Sequence, residues 1–256
     1  MRIGISSTLV KDSSIFPLIE LMGERRFLFI EIRCKSGHFD YEDIETIKKL
    51  KATLKRAGVT PLALHPPDWI DIGSQNEWER MRSVREVEKC ILVAEKLRIQ
   101  RIILHPANST TEISIIRKSL DEIIPFSEEW GVEVVLENPF PPKTGSDLET
   151  LKALSDGYKV GICLDTSHLF ANGDVDYVVL NNISGLIKEV HASDSRFSGK
   201  DDHLLPGEGK LNWKEIFNNI DNDHIDVIIE LMPAKKLEKR LDEIEGVMER
   251  WLSGLF

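Results

Sequence analysis

The feature that most constrains this chain is an alternation repeated eight times, in which a short apolar run is followed by a longer amphipathic stretch. Near-continuous Ile, Val and Leu without polar alternation suits a strand buried on both faces, as in a parallel sheet covered by helices. The runs are Arg2 to Ser6, Phe27 to Arg33, Pro61 to His65, Arg101 to His105, Val132 to Glu137, Val160 to Asp165, Leu186 to His191 and Val227 to Leu231. Helices are predicted between them, over about Ile15 to Met22, Tyr41 to Ala57, Asn76 to Leu97, Ile113 to Trp130, Asp147 to Leu154, Val175 to Asn182, Trp213 to Asn219 and Lys236 to Leu252. In the third, Val84, Val87, Ile91 and Ala94 recur at helical spacing and form one apolar face, with Glu86, Glu88, Lys89 and Lys96 largely on the others. Eight βα units in 256 residues match the size and order of an α/β fold, the (β/α)8 TIM barrel, with an open doubly wound sheet as the runner-up. No Gly/Ser linker, low-complexity tract or composition break divides the chain, so residues 1–256 read as one domain.

A chain of this length buries roughly three quarters of its unfolded surface, so it needs no disulfide or metal to fold, and a bound metal would serve chemistry. Its three cysteines, Cys34, Cys90 and Cys163, form no CxxC, which argues against a disulfide framework or a zinc ribbon and for a reducing cytoplasm. Met1 to Ser7 runs directly into a strand without a basic, then apolar, leader, and no stretch approaches about eighteen uninterrupted apolar residues. Neither secretion nor a membrane partner is expected. A net charge of −10 opposes nonspecific attraction to nucleic acid, although divalent cations or a basic rim would reverse the field within one cleft.

In such a barrel the active site lies at the C-terminal ends of the strands, which makes the residue closing each run informative. Strands three to eight close on His65, His105, Glu137, Asp165, His191 and Glu230. His168 follows three residues after Asp165, and Asp201-Asp202-His203 lies in the loop after strand seven. Five of the seven histidines thus fall at one face. A lone histidine is ordinarily a hydrogen-bonded core or loop residue, but six successive strand ends are not explained that way. Imidazoles converging with carboxylates suit Zn²⁺ or Mn²⁺, with Fe²⁺, Co²⁺ and Mg²⁺ as further candidates, and unneutralised carboxylates so packed would repel. The lack of cysteine argues against a closed structural zinc site, and the number of ligands suggests two or three ions with open positions. There is no GxGxxG after the first strand, no GxxxxGK[ST] loop and no GxSxG elbow, so nucleotide binding through those motifs and a nucleophilic triad are unsupported.

The segments Leu136-Glu137-Asn138, Leu164-Asp165-Thr166-Ser167-His168, Glu189 to Ser195 and Asp201 to Gly209 resemble the xylose-isomerase-like TIM-barrel superfamily, over nearly the whole chain. That superfamily contains endonuclease IV (AP endonuclease family 2) and the sugar phosphate isomerase/epimerase-like proteins. By resemblance to endonuclease IV, His65, His105 and Glu137 would hold one ion, Glu137, Asp165, His191 and Glu230 a second, and His168, Asp201 and His203 a third. Glu137 would then bridge two ions. The Asp165 to Gly173 pattern and Asp194-Ser195-Arg196 resemble endonuclease IV, but the loop Arg33 to Asp40 lacks that family's Arg- and Trp-bearing DNA-inserting segment. Asp68 also stands about where that family has a DNA-contacting tyrosine. Glu137 to Phe140 and Leu205 to Trp213 look more like the isomerase/epimerase branch.

Two activities follow from the resemblance. In an isomerase or epimerase acting on a small sugar or sugar phosphate, the metal chelates a hydroxyl and carbonyl and stabilises an enediolate, with Glu137 and Glu230 as the proton-transfer pair. The alternative is a three-metal phosphodiesterase acting on abasic DNA. The intact ligand set argues against a degenerate binding barrel. Trp69 and Phe140 would wall the substrate or simply pack, and Arg196 and Lys200 would meet a substrate phosphate or be solvated. Glu31 would contact a ligand histidine or substrate, or be a surface carboxylate, and His38 and His224 are expected in solvated loops.

Overall fold

Strands rich in Ile, Val and Leu hide both faces only if one turns inward on a partner and the other meets helices. The computed structural model describes residues 1–10, 12–35, 37–173, 176–220 and 225–254. Its strands are β1 (Arg2–Ser6), β2 (Phe29–Arg33), β3 (Thr60–His65), β4 (Arg101–Leu104), β5 (Glu133–Glu137), β6 (Gly161–Asp165), β7 (Ile187–Ala192) and β8 (Asp226–Ile229). They form a closed barrel in chain order, each strand parallel to its neighbours. β8 closes on β1 from Arg2 opposite Asp226 to Ile5 opposite Ile229, which removes the open doubly wound alternative.

The outer layer is α1 (Phe16–Glu24), α2 (Ile44–Ala57), α3 (Glu77–Leu97), α4 (Ile113–Glu129), α5 (Leu148–Ser155), the single turn α6 (Thr166–Leu169), α7 (Trp213–Asn218) and α8 (Leu237–Leu252). Local chemistry fixes their ends. Asp43 accepts from the Glu45 and Thr46 amides at the start of α2, and Gly58 in the left-handed region stops it. Asn76 caps α3 in the same way through Trp78 and Glu79. The α3 residues Val84, Val87, Ile91 and Ala94 are all fully buried. Glu86, expected on a polar face, is buried too, because it accepts from the Tyr41 hydroxyl at 2.7 Å and from Lys89 at 3.1 Å.

The sixth unit departs from expectation. Val175 lies outside the described residues, and the span expected to be helical contains a 3-10 segment, Tyr177–Asn182, followed by another at Ser184–Leu186. Two consecutive β-branched valines, paired asparagines and Gly185 supply little helix propensity, so the Asp176 cap starts a tighter turn that does not propagate.

Strand periodicity then divides the side chains between two cores. Leu64, Leu104, Leu136, Leu164, Val190 and Ile229, each one residue before a rim His, Asp or Glu, belong to the main core cluster. Ala63, Ile103, Val135 and Cys163, each two residues before such a residue, form a separate cluster inside the barrel. With a period of two, the rim residues therefore point inward, in the layer above that small apolar plug.

Candidate metal centre

Each rim side chain is delivered to the axis by its strand register, and the next question is what holds its ring or carboxylate there. Glu137 is the hub. Its Oε2 lies 3.2 Å from His65 Nε2 and 3.1 Å from His105 Nε2, and its Oε1 lies 3.3 Å from His191 Nδ1. Glu230 Oε2 approaches the same His191 nitrogen at 2.8 Å. On the far side, His168 and His203 bring their Nε2 atoms within 3.3 Å, and Asp201 Oδ1 lies 2.9 Å from His203 and 3.5 Å from His168. Ligand atoms of His65, His105 and Glu137 lie within 4.8 Å of one another, as do those of Glu137, Asp165, His191 and Glu230, and those of Asp165, His168 and His203.

All nine residues expected to ligate thus converge. The third group is drawn together around Asp165 as well as Asp201, whose side chain is 40% exposed at the rim.

Backbone carbonyls set the ring orientations. A carbonyl can only accept, so His65 Nδ1 donates to Pro66 O at 2.8 Å, His168 Nδ1 to Asn138 O at 3.0 Å and His203 Nδ1 to Glu230 O at 3.2 Å. Each therefore turns Nε2 toward the centre. His191 is reversed: its Nε2 meets buried Glu31 Oε2 at 2.8 Å, and Nδ1 faces the centre. Glu31 is itself held by the Ser6 hydroxyl at 3.0 Å, so it is a buried partner of a ring nitrogen and not a surface carboxylate.

The motif residues that touch no ligand group build the frame. Asn138 clasps the end of β6, donating to Asp165 O at 3.0 Å and accepting from Asp165 N at 2.8 Å. Asp165 caps α6 through the His168 amide at 2.8 Å, which fixes those two side chains relative to each other. Asp194 accepts from the amides of Ser195, Gly207 and Leu211 and from Trp213 Nε1, stapling the loop that carries Asp201 and His203. A Cβ at position 209 would fall 2.2 Å from Asp194 Oδ1, so that staple requires Gly209.

The carboxylates and imidazoles of the site shift one another strongly. Burial pushes the Asp165 carboxyl up, and Glu137 and Glu230 add to that against the pull of His168 and His203. Burial alone would lower His168 and His203, but Asp165 and Asp201 carry them to about 9 and about 10. Asp165 Oδ2 is buried without a hydrogen-bond partner, and His105 Nε2 and His191 Nδ1 face carboxylate oxygens at ion-pair distance without hydrogen-bond geometry, although buried polar atoms are almost always satisfied. Ring nitrogens and carboxylate oxygens gathered within 4.8 Å of one another are a donor set that fits a divalent ion.

Other expected residues fall less centrally. Phe140 lies edge-on to His168 at 5.9 Å and lines a cavity of about 150 Å³ with His105, Glu137, His168, Asp201, His203 and Glu230. Trp69 lines a neighbouring groove of about 740 Å³ beside Asp68, with the Arg82 guanidinium 4.5 Å over its ring. Arg196 is turned to Asp202 at 3.5 Å and Lys200 is exposed, so neither reaches the cavity. His38 is not solvated: it is 1% exposed, with Nε2 bonded to Val10 O at 3.0 Å. His224 lies outside the described residues.

Arg33 is a site residue the sequence reading missed. Its guanidinium is tied to Glu230 Oε1 and lies 2.6 Å from Asp68 Oδ1, and it lines the same cavity as Phe140, Glu137 and the histidines. The signal was present, since Arg33 stands two residues after Glu31 and shares its inward face.

A closed parallel barrel with an imidazole–carboxylate cluster at its C-terminal rim defines a class of TIM-barrel proteins. The chain belongs to the xylose isomerase-like TIM barrel family, whose pattern matches residues 19–251. It is 30% identical to an uncharacterized protein of Methanocaldococcus jannaschii, over 90% of this chain and 83% of that one. It is 29% identical to a probable endonuclease 4 of Halothermothrix orenii, over 69% of this chain and 72% of that one. Among solved structures, a D-tagatose 3-epimerase-like protein superposes with a TM-score of 0.83 at 25% identity, covering 100% of this chain and 98% of the other. Members of the family are enzymes, and both epimerases and endonuclease IV are among this chain's neighbours.

Proposed function

We propose that the protein is a divalent-metal-dependent isomerase or epimerase of a small sugar or sugar phosphate. The observation that carries this reading is the meeting of Glu137 and Glu230, from β5 and β8, on one nitrogen of His191 at 3.3 and 2.8 Å. Two carboxylates brought from separate strands to one point suit a reaction that removes a proton beside a carbonyl and returns it. His65, His105, Glu137, Asp165, His191 and Glu230 would hold one or two ions, with Zn²⁺ and Mn²⁺ the best match to the donors. A divalent ion held there would supply Lewis acidity to a carbonyl of the substrate.

The chain's own residues do the rest. Arg33 engages one oxygen of Glu230 and so fixes the direction of the other. Phe140 covers the cavity from the His168 side and limits water near the reacting carbon. The likeness to a D-tagatose 3-epimerase-like protein over the whole chain supports the same reaction class.

One observation favours a second reading, phosphodiester hydrolysis in abasic DNA: His168, His203 and Asp201 form a group of their own beside Asp165. Two assays on the metal-reconstituted protein separate these readings. One follows deuterium uptake from solvent into a panel of ketoses and ketose phosphates, and the other follows nicking of a duplex with one synthetic abasic site. We expect deuterium uptake that is lost in Glu137→Gln and Glu230→Gln while bound metal is retained. A metal-dependent nick without sugar exchange would replace this reading with the second, and full sugar turnover in either variant would remove its proton-transfer pair.

A further inference from the structure

The cavity lined by Phe140 and the histidines contains a cation that nothing in the site consumes. Lys143 lines it together with Arg33, His105, Glu137, Phe140, His168, Asp201, His203 and Glu230. Arg33 is spoken for by Glu230 and Asp68, whereas Lys143, only partly exposed, has no ion pair among the described residues. An ammonium on the cavity wall without a carboxylate partner is available to pair with an anion arriving in the cavity.

The backbone around Lys143 holds it in place before any ligand arrives. Between Glu137 and Lys143 the chain has three prolines, Pro139, Pro141 and Pro142, each with a fixed φ. The loop is then pinned to the one after β4: Thr110 Oγ1 donates to Pro142 O at 2.9 Å and Thr144 N to Ser109 O at 3.2 Å. The Lys143 carbonyl accepts from Ser146 N at 3.1 Å, which closes the turn. A lysine on so constrained a loop loses little further backbone freedom when it engages a ligand.

Charge balance points the same way. The carboxylates of the site, Glu137, Asp165, Asp201, Glu230 and the buried Glu31 behind His191, would be largely offset by two divalent ions, and Arg33 is held by Asp68 and Glu230. Lys143 is then the cation of the cavity wall without a carboxylate of its own among the described residues, the place where an anionic ligand would meet a positive charge.

We propose that Lys143 is the anion-binding residue of the substrate site, and that the substrate bears a phosphate monoester. This rests on the isomerase or epimerase reading and sharpens it to the phosphorylated sugars. Lys143 acts as a compact point charge with three donors, suited to terminal phosphate oxygens.

The test titrates ligands into the metal-loaded protein, with metal content measured in parallel. The probes are inorganic phosphate, methyl phosphate and dimethyl phosphate. We expect the two with terminal oxygens to bind, and dimethyl phosphate to compete at least about tenfold more weakly. Lys143→Met should weaken phosphate by about tenfold or more with unchanged metal content, and Lys143→Arg should stay within about threefold, as expected for one charge-assisted contact. In turnover, Lys143→Met should raise KM for a ketose phosphate by a larger factor than KM for the matching unphosphorylated ketose. Phosphate binding by folded Lys143→Met at the wild-type level overturns the assignment. Equal competition by dimethyl phosphate also overturns it, because the site then accepts diesters such as a nucleic-acid backbone. If phosphate binding depends on Lys143 but no sugar phosphate turns over, the anion site stands and the isomerase reading alone fails.

Discussion

The two ends of the barrel interior solve the same problem in opposite ways. At the N-terminal end the buried carboxylate of Asp226 is neutralised by the chain itself: Arg2 reaches both its oxygens at 2.7 Å and Arg101 reaches Oδ2 at 3.0 Å. Arg101 also lies 3.3 Å from Glu189, whose other oxygen is 3.4 Å from His191 Nε2. At the C-terminal end the carboxylates outnumber the guanidinium groups and are faced chiefly by imidazoles. Buried charges demand compensation wherever they sit. The lower end is compensated by the chain's own guanidinium groups, and the upper end offers a donor set that would suit a cation.

The sharpest way to break this contrast is Arg101→Met, which strands Glu189 and leaves Asp226 to Arg2 alone. Removing one partner of a buried pair should cost about 3–5 kcal/mol, read by urea unfolding, and a loss below about 1 kcal/mol would show the lower pairing to be dispensable. Next, the upper end should gain what the lower already has. Adding Zn²⁺ or Mn²⁺ at a hundred times its dissociation constant should stabilise the protein by about 2.7 kcal/mol, seen as a raised unfolding midpoint, and no rise would mean no cation site. The smallest effect concerns the border between the two ends, where Glu31 holds His191 Nε2 at 2.8 Å. Glu31→Gln keeps an acceptor but loses the charge, and should weaken metal binding toward the lower end of the about 10–100-fold range of such contacts, measured by chelator competition. Unchanged affinity would leave Glu31 a purely structural carboxylate.

Much of this architecture was legible because two periodicities coincide. The residue ending each apolar run faces inward and the one before it faces the helices, so Leu64-His65 or Leu164-Asp165 announces both a strand end and a rim position. Local motifs located Asp201 and His203, although what binds that loop together, Asp194 beneath Gly209, emerges only in three dimensions.

The misses have physical causes. Arg33 closes β2 with a cation, which is no metal ligand, so the pattern of His, Asp and Glu at the strand ends does not include it. His38 sits in a polar loop, and its burial depends on packing near Val10. The sixth helix failed because apolar spacing was present while helix propensity was not. Arg196 was given to the site on charge alone, but an acidic neighbour, Asp202, is closer than the cavity.

Glu137 gives one carboxylate to two groups, Oε2 to His65 and His105 and Oε1 to His191. The two oxygens belong to a single rigid plane, so neither can turn without the other. An ion bound in either group would therefore change how the carboxylate is set for its neighbour, and by thermodynamic reciprocity the effect would be equal in both directions. Two such binding events would be coupled through a single side chain.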